Sequence, residues 1–385
     1  MKLLNILATA SILLASSLTA RAQNTGYTNP VNDTYRSLVF NKGDFDSQFY
    51  RIPAITTLPD GTLVAVADKR INSLNDLPGD IDVVCRRSTD GGHTWSDYIT
   101  VAAHDENGGY GDPALVRDRR TGDLLVISLN GQGLWNPTPG RICVSRSKDN
   151  GLTWEAPVNI NPQILTNDSL GTQPIKCASA FASSGAALQL KNGRLMFVLV
   201  TRQPGVEGFP CYAIYSDDGG YTWHASQTPA TLNGDESKVV QLPDGRVMMS
   251  IRNRFSGNRK FSLSSDGGKT WTEQPIDFAD LHDVACNGDF ISLRHGGKDY
   301  LIQSLPAGPW RDNITIYASA DGGRTWPYST RVQPGPGAYS AMTVMPDGDS
   351  LGVLTEEGVN DVNDRHHQGY RIWFTRVPLS SLLHD

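Results

Sequence analysis

The chain has 385 residues, 34 of them Lys or Arg against 40 Asp or Glu, for a formal net charge of −6; 39% are hydrophobic and 19% charged. That balance excludes a polytopic membrane protein, a coiled coil and a long disordered chain, each of which needs a more extreme composition. The 38 Gly and 22 Pro mark a chain rich in turns, and the lack of a long basic run argues against nucleic acid or membrane surfaces as partners.

At the N-terminus, Lys2 is followed by an apolar stretch from Leu3 to Leu18 and by Ala20-Arg21-Ala22. This is the pattern of a secretory signal peptide over residues 1–22, too short and poorly flanked for a spanning helix. Residues 23–385 are then expected to form the exported protein, periplasmic or secreted, with no membrane insertion. Cys85, Cys143, Cys177, Cys211 and Cys286 are widely spread, without C-x-x-C or metal-ligand spacing, and read as small core residues.

Next along the chain, a pattern S-x-D-x-G-x-T-W recurs. It runs Ser88 to Trp95, Ser147 to Trp154, Ser216 to Trp223, Ser264 to Trp271 and Ser319 to Trp326. In such a turn the Asp carboxylate accepts backbone N–H bonds, Gly supplies φ > 0 and Trp packs between sheets. Between these boxes lie Gly hairpins followed by apolar strands, at Gly61, Gly122, Gly193, Gly245, Gly297 and Gly348. The two series alternate strictly. Two hairpins per unit make four strands per unit, so the repeat predicts an all-β fold, a six-bladed β-propeller with four antiparallel strands per blade and five Asp-box turns. The last blade is expected to be closed by both chain ends, Arg36 to Phe40 with Tyr370 to Val377, and the whole to be one domain.

Propeller sites form at one mouth of the channel. Counting back nine or ten residues from each hairpin Gly selects Arg51, Asp112, Ser183, Glu236, Asn287 and Tyr339 as one rim. The one-residue spread matters, because a slip reverses a strand side chain unless a bulge absorbs it. A ring of Arg, Asp, Glu and Tyr is costly to bury unless its members pair, which makes it a site candidate.

The boxes, together with Tyr50-Arg51-Ile52-Pro53 and the spacings that follow it, resemble the bacterial exo-α-sialidases (neuraminidases) over nearly the whole exported chain. The resemblance implies an arginine triad for the sialic acid carboxylate in Arg51, Arg252 (sixteen residues after Glu236) and Arg311. It implies Tyr339, in Gly337-Ala338-Tyr339-Ser340, as nucleophile, Glu236 as its base, and Asp76, on a loop 25 residues past Arg51, as general acid/base. Arg70 matches a further substrate-contacting arginine, Asp112 a residue facing the N-acetyl group, and Glu356 the carboxylate that holds the first arginine. Thr355 stands where the family pattern has an aromatic.

The chemistry agrees with that assignment. A substrate carrying a carboxylate on its anomeric carbon wants planar bidentate donors and would repel an Asp or Glu nucleophile. Tyr is neutral, but its ordinary pKa near ~10 requires an adjacent base. The implied activity is a retaining exo-α-sialidase acting on sialylated glycans, a known exception to the two-carboxylate rule. The same fold also accommodates a trans-sialidase, an anhydro-forming sialidase, a hydrolase of the deaminated sugar, or a non-catalytic glycan-binding propeller. His282, His366 and His367 have no second cluster near them in sequence, so no catalytic metal and no other cofactor is expected.

Overall fold

A computed structural model describes residues 35–136, 139–165, 175, 177, 179–272, 276–359 and 369–383. The expected signal peptide, His366 and His367 lie outside the described residues. Among the described residues, helix is confined to Asn161–Ile164 and two 3₁₀ turns, Asp44–Asp46 and Leu379–Ser381; the fold is all-β.

Strands pair in chain order. Phe49–Thr57, Leu63–Arg70, Ile81–Ser88 and Ile99–Ala102 form one antiparallel sheet. Tyr110–Arg117, Leu124–Asn130, Arg141–Ser147 and Val158–Asn159 form the next, with Gly185–Ala186 added in parallel to its first strand. A third contains Leu195–Arg202, Cys211–Ser216 and His224–Ala225, its inner edge shared by Ser179–Ala182 and Leu188–Gln189. Ser237–Gln241, Val247–Ile251, Gly257–Ser264 and Ile276–Asp283 form a fourth.

The remaining strands make one seven-stranded sheet, because Tyr328–Val344 pairs with Asp312–Ser319 through its first half and with Ser350–Gly358 through its second. Arg36–Phe40 pairs with Tyr370–Pro378, as expected, so the N-terminal strand is locked by the C-terminal one. Second strands such as Leu63–Arg70 and Leu124–Asn130 are buried throughout, which explains their unbroken apolar runs: both faces are covered. The first strands converge on a cavity of about 480 Å³ lined by Thr57, Arg117, Gln189, Val240, Ser292 and Thr343 among others.

Each box turn holds itself together. The Asp accepts the Thr N–H at 2.9–3.0 Å and the Thr hydroxyl at 2.5–2.7 Å, while the Ser hydroxyl donates to the Asp and accepts a Gly N–H. Hydrogen bonds from the Thr94 hydroxyl and N–H hold the Asp90 carboxyl well below the carboxylate range. Gly220 shows why the second glycine is needed: its φ is +84°, and a Cβ there would meet Leu125 of the preceding sheet at 2.3 Å. In the second box Asn150 takes the left-handed conformation (φ 61°), a role Asn tolerates. Trp223, Trp271 and Trp326 are buried between sheets.

Replacing Asp321 by Ala removes the bonds from Arg324, Thr325 and Ser319. Urea unfolding is expected to show a loss of about 1–2 kcal/mol; an unchanged midpoint would mean the turn does not depend on its carboxylate.

Candidate active site

The ends of the first strands opposite the cavity carry Arg51, Asp112, Glu236 and Tyr339; Arg70 ends a second strand, Glu356 lies within another, and Asp76, Arg252 and Arg311 lie on loops. Three of these ends are irregular: register shifts fall between Arg51 and Ala54, Gly111 and Ala114, and Gly337 and Ser340. They are bulges, which re-aim the side chains at the strand ends. Ile52 (φ 60°) and Asp112 (φ 56°) sit in the left-handed region, which costs a non-Gly residue about 1–3 kcal/mol and is sustained by the surrounding bonds.

Those bonds centre on Glu356, whose side chain is wholly buried. Its carboxylate accepts Arg51 Nε at 3.1 Å and Nη2 at 2.9 Å, Ile52 N–H at 2.7 Å and Tyr339 N–H at 3.0 Å. One anion therefore fixes the first arginine, its strained neighbour and the tyrosine segment. The Arg51 guanidinium carbon lies 4.8 Å from the Tyr339 ring centroid and 4.7 Å from that of Tyr370.

Tyr339 is 7% exposed, and its hydroxyl donates to Glu236 Oε1 at 2.5 Å. Arg252 Nη1 donates to Glu236 Oε2 and, at 3.2 Å, to the Tyr339 oxygen. Arg311 lies 5.6 Å from the Tyr339 ring and is tethered through Nη2 to the Ala285 carbonyl at 3.0 Å. Three guanidiniums thus surround one phenol. Burial and the Glu236 charge push that phenol well above its ordinary value, outweighing Arg252, Arg311 and Arg51. Burial works to raise Glu236, but Arg252, the Tyr339 bond and Lys238 hold it below the ordinary Glu value. Both shifts keep the proton on Tyr339 and the charge on Glu236.

On the other side of the cluster, Arg70 is 1% exposed. Its Nε and Nη2 donate to Asp68 Oδ2 at 3.2 and 3.0 Å, and Nη2 also pairs with Asp76 Oδ1 at 2.8 Å. Asp76 itself is 77% exposed. The Asp112 N–H donates to Asp68 Oδ1 at 3.0 Å. Burial, with the charges of Asp68, Asp76 and Glu236, pushes the Asp112 carboxyl well above the carboxylate range. Burial raises Asp68 to about 6 against the pull of Arg70. The two halves feel each other's charges, since Arg51 acts on Arg70 and Glu236 on Asp112.

The structure thus gathers Arg51, Arg70, Asp76, Asp112, Glu236, Arg252, Arg311, Tyr339 and Glu356 at one end of the molecule. Ser183 and Asn287, also in the rim, turn to internal bonding: Ser183 Oγ accepts the Ser237 N–H, and Asn287 Oδ1 accepts Lys238 Nζ at 2.7 Å. Sequence reasoning missed Asp68, Asp235, Lys238, Cys286 and Tyr370. Asp68 and Lys238 were within reach, since each stands two residues from a selected residue and so shares its strand face. Lys238 is buried beside Glu236, and that burial draws its ammonium down to about 8 against the pull of Asp289 and Glu236. Behind Arg252, the buried Asp283 pairs with Arg259 at 2.9 Å and accepts the N–H groups of Asn253 and Cys286, bracing that loop. The five cysteines are free thiols, four of them buried.

Residues 61–353 match the model of the BNR repeat-like domain. The chain is 35% identical over 336 residues to a sialidase of Micromonospora viridifaciens, covering 80% of this chain and 50% of that protein. It is 30% identical over 347 residues to a sialidase of Paraclostridium sordellii, with 82% of each covered. A Hadza microbial sialidase of known structure superposes with a TM-score of 0.79 at 30% identity, over 90% of this chain and 69% of that one. The chain belongs to the sialidase family. It spans about half the length of the Micromonospora relative.

Glu356→Gln leaves the Arg51 charge without its buried partner. It is expected to lower the unfolding free energy by about 3–5 kcal/mol in a denaturant titration; a loss under about 1 kcal/mol would place the hub elsewhere.

Proposed function

We propose that the chain is an exported, retaining exo-α-sialidase that hydrolyses terminal α-linked sialic acid from glycans through a tyrosyl-enzyme intermediate. The observation that carries this reading is the Tyr339 hydroxyl donating to Glu236 at 2.5 Å among three guanidiniums. Family membership supports the activity, and residues 1–22 support export to the periplasm or beyond. We further read residues 23–385 as one domain, a six-bladed β-propeller with five Asp-box turns. The division of the seven-stranded sheet midway along Tyr328–Val344 and the self-bonded turns favour that count.

In the proposed reaction Arg51, Arg252 and Arg311 take the substrate carboxylate, with Arg51 oriented by Glu356. Substrate seated over Asp76 desolvates it, so that its carboxylic acid gives a proton to the glycosidic oxygen. The C–O bond breaks as Tyr339 Oη attacks the anomeric carbon and passes its proton to Glu236. Water, deprotonated by Asp76, then attacks the same carbon, and the phenol leaves with the proton returned from Glu236. Two displacements give net retention, so the first-formed free sugar is the α anomer.

Tyr339→Phe keeps the packing and removes the nucleophile; release of sialic acid from sialyllactose should fall at least about 10²-fold. Wild-type turnover in that variant would remove the mechanism. Asp76→Ala should lose about 10²–10⁴-fold on sialyllactose and far less on an aryl sialoside, whose phenolic leaving group needs little protonation. Equal losses on both substrates would show that Asp76 is not the acid. Mass spectrometry of the products separates hydrolysis from transfer or an anhydro sugar.

A further inference from the structure

Beside the cluster the rim carries an aromatic box that the proposed mechanism leaves unused. Trp135 is 69% and Phe255 74% exposed, while Phe209 between them is buried. Trp135 meets Phe209 edge-on, centroids 5.4 Å apart. The Arg254 guanidinium carbon lies 3.6 Å from the Phe209 centroid, 5.2 Å from Phe255 and 5.8 Å from Trp135. Among the described residues this guanidinium contacts only rings, with no ion pair and no hydrogen bond to use its donors. Two large apolar faces left in water beside an unpaired cation, on a chain of net negative charge, suit a ligand that offers both a ring face and an anionic oxygen.

The box also stands where a leaving group would pass. Arg254 lies two residues past Arg252, and its charge acts on Asp235, whose carboxylate is 3.8 Å from Arg252 Nε. The Trp135 loop packs on the Asp76 loop: Gly133 approaches the Leu77 carbonyl so closely that a Cβ would come within 2.3 Å of it. The leaving-group oxygen is the atom that Asp76 protonates in the proposed reaction, so a glycan leading from it over the adjoining Trp135 loop would meet this part of the rim.

We propose that Trp135, Arg254 and Phe255 form a subsite for an acidic sugar next to the bond being cleaved, the second sialic acid of an oligosialyl chain. Its pyranose face lies on Trp135 and its carboxylate pairs with Arg254. The assignment rests on the sialidase reading above and adds a substrate class to it.

The test measures kcat/KM for release of the terminal sugar from methyl α-sialoside, sialyllactose and α2,8-disialyllactose, with wild-type protein, Arg254→Met and Trp135→Ala. The wild type is expected to favour disialyllactose over sialyllactose by about tenfold, a preference that shrinks with added salt. Arg254→Met should erase that ratio, and Trp135→Ala should lower the disialyllactose to methyl sialoside ratio. Absence of the wild-type preference, or equal losses on all three substrates in both variants, would overturn the subsite. A gain on sialyllactose that depends on Trp135 but not on Arg254 would mark a neutral-sugar platform and overturn it as well. Failure of the wild type to release sialic acid from any of the three would instead overturn the sialidase reading, and the subsite with it.

Discussion

A carboxylate with no water around it must be surrounded by donors, and Glu356 supplies the constraint on which the site depends. Arg51 reaches it twice, and the Ile52 and Tyr339 amides complete its shell. Those donors come from the first and the last parts of the strand ring, 304 and 17 residues away in the chain. The chain ends are paired in the same region by Arg36–Phe40 and Tyr370–Pro378. Closure of the fold and placement of the tyrosine are therefore coupled. The left-handed conformation of Ile52 belongs to the same bargain, because it turns an N–H toward an anion that would otherwise be underbonded.

The electrostatics follow from that frame. Tyr339 keeps its proton because it is buried beside an anion, and Glu236 stays ionised because Arg252 and Lys238 flank it. A neutral phenol among guanidiniums can receive an anionic sugar without the repulsion an ionised nucleophile would exert. Across the cluster the order is different. Asp112 and Asp68 are pushed toward the neutral form, with Arg70 holding Asp68 and Asp76 together. One end of the molecule thus has a cationic wall and a wall of carboxyls, which is an arrangement suited to binding a carboxylate while handling protons at a neighbouring oxygen.

Much of the fold was legible in the sequence because its signals are local. In each box the Asp, Ser and Thr that bond one another lie within four residues, so the pattern itself states the turn. The Gly hairpins are equally local. Glu236, Tyr339 and the arginines were found through motif spacing, which works because equivalent strands start at similar distances from their hairpins. The bulges at Arg51, Gly111 and Gly337 could not be read from that spacing, since strands with spacings of nine and of ten both carry them. Tyr370 and Cys286 were out of reach, since their neighbours are set by closure of the ring rather than by any nearby residue. The same holds for Trp135, Phe209 and Arg254, which come from separate loops and meet only in the folded chain. Asp68 and Lys238 were available from strand alternation alone and needed only that rule applied around Arg70 and Glu236.

The central claim is that Tyr339, positioned by Glu356 and deprotonated by Glu236, forms the bond to sugar. Intact-mass and peptide mass spectrometry after reaction with a fluorinated sialosyl donor, whose second displacement is slow, tests it most directly. One added sialosyl mass on the peptide containing Tyr339, located to that residue, is the predicted result. Turnover of the donor with no adduct, or an adduct on any other side chain, would contradict the account.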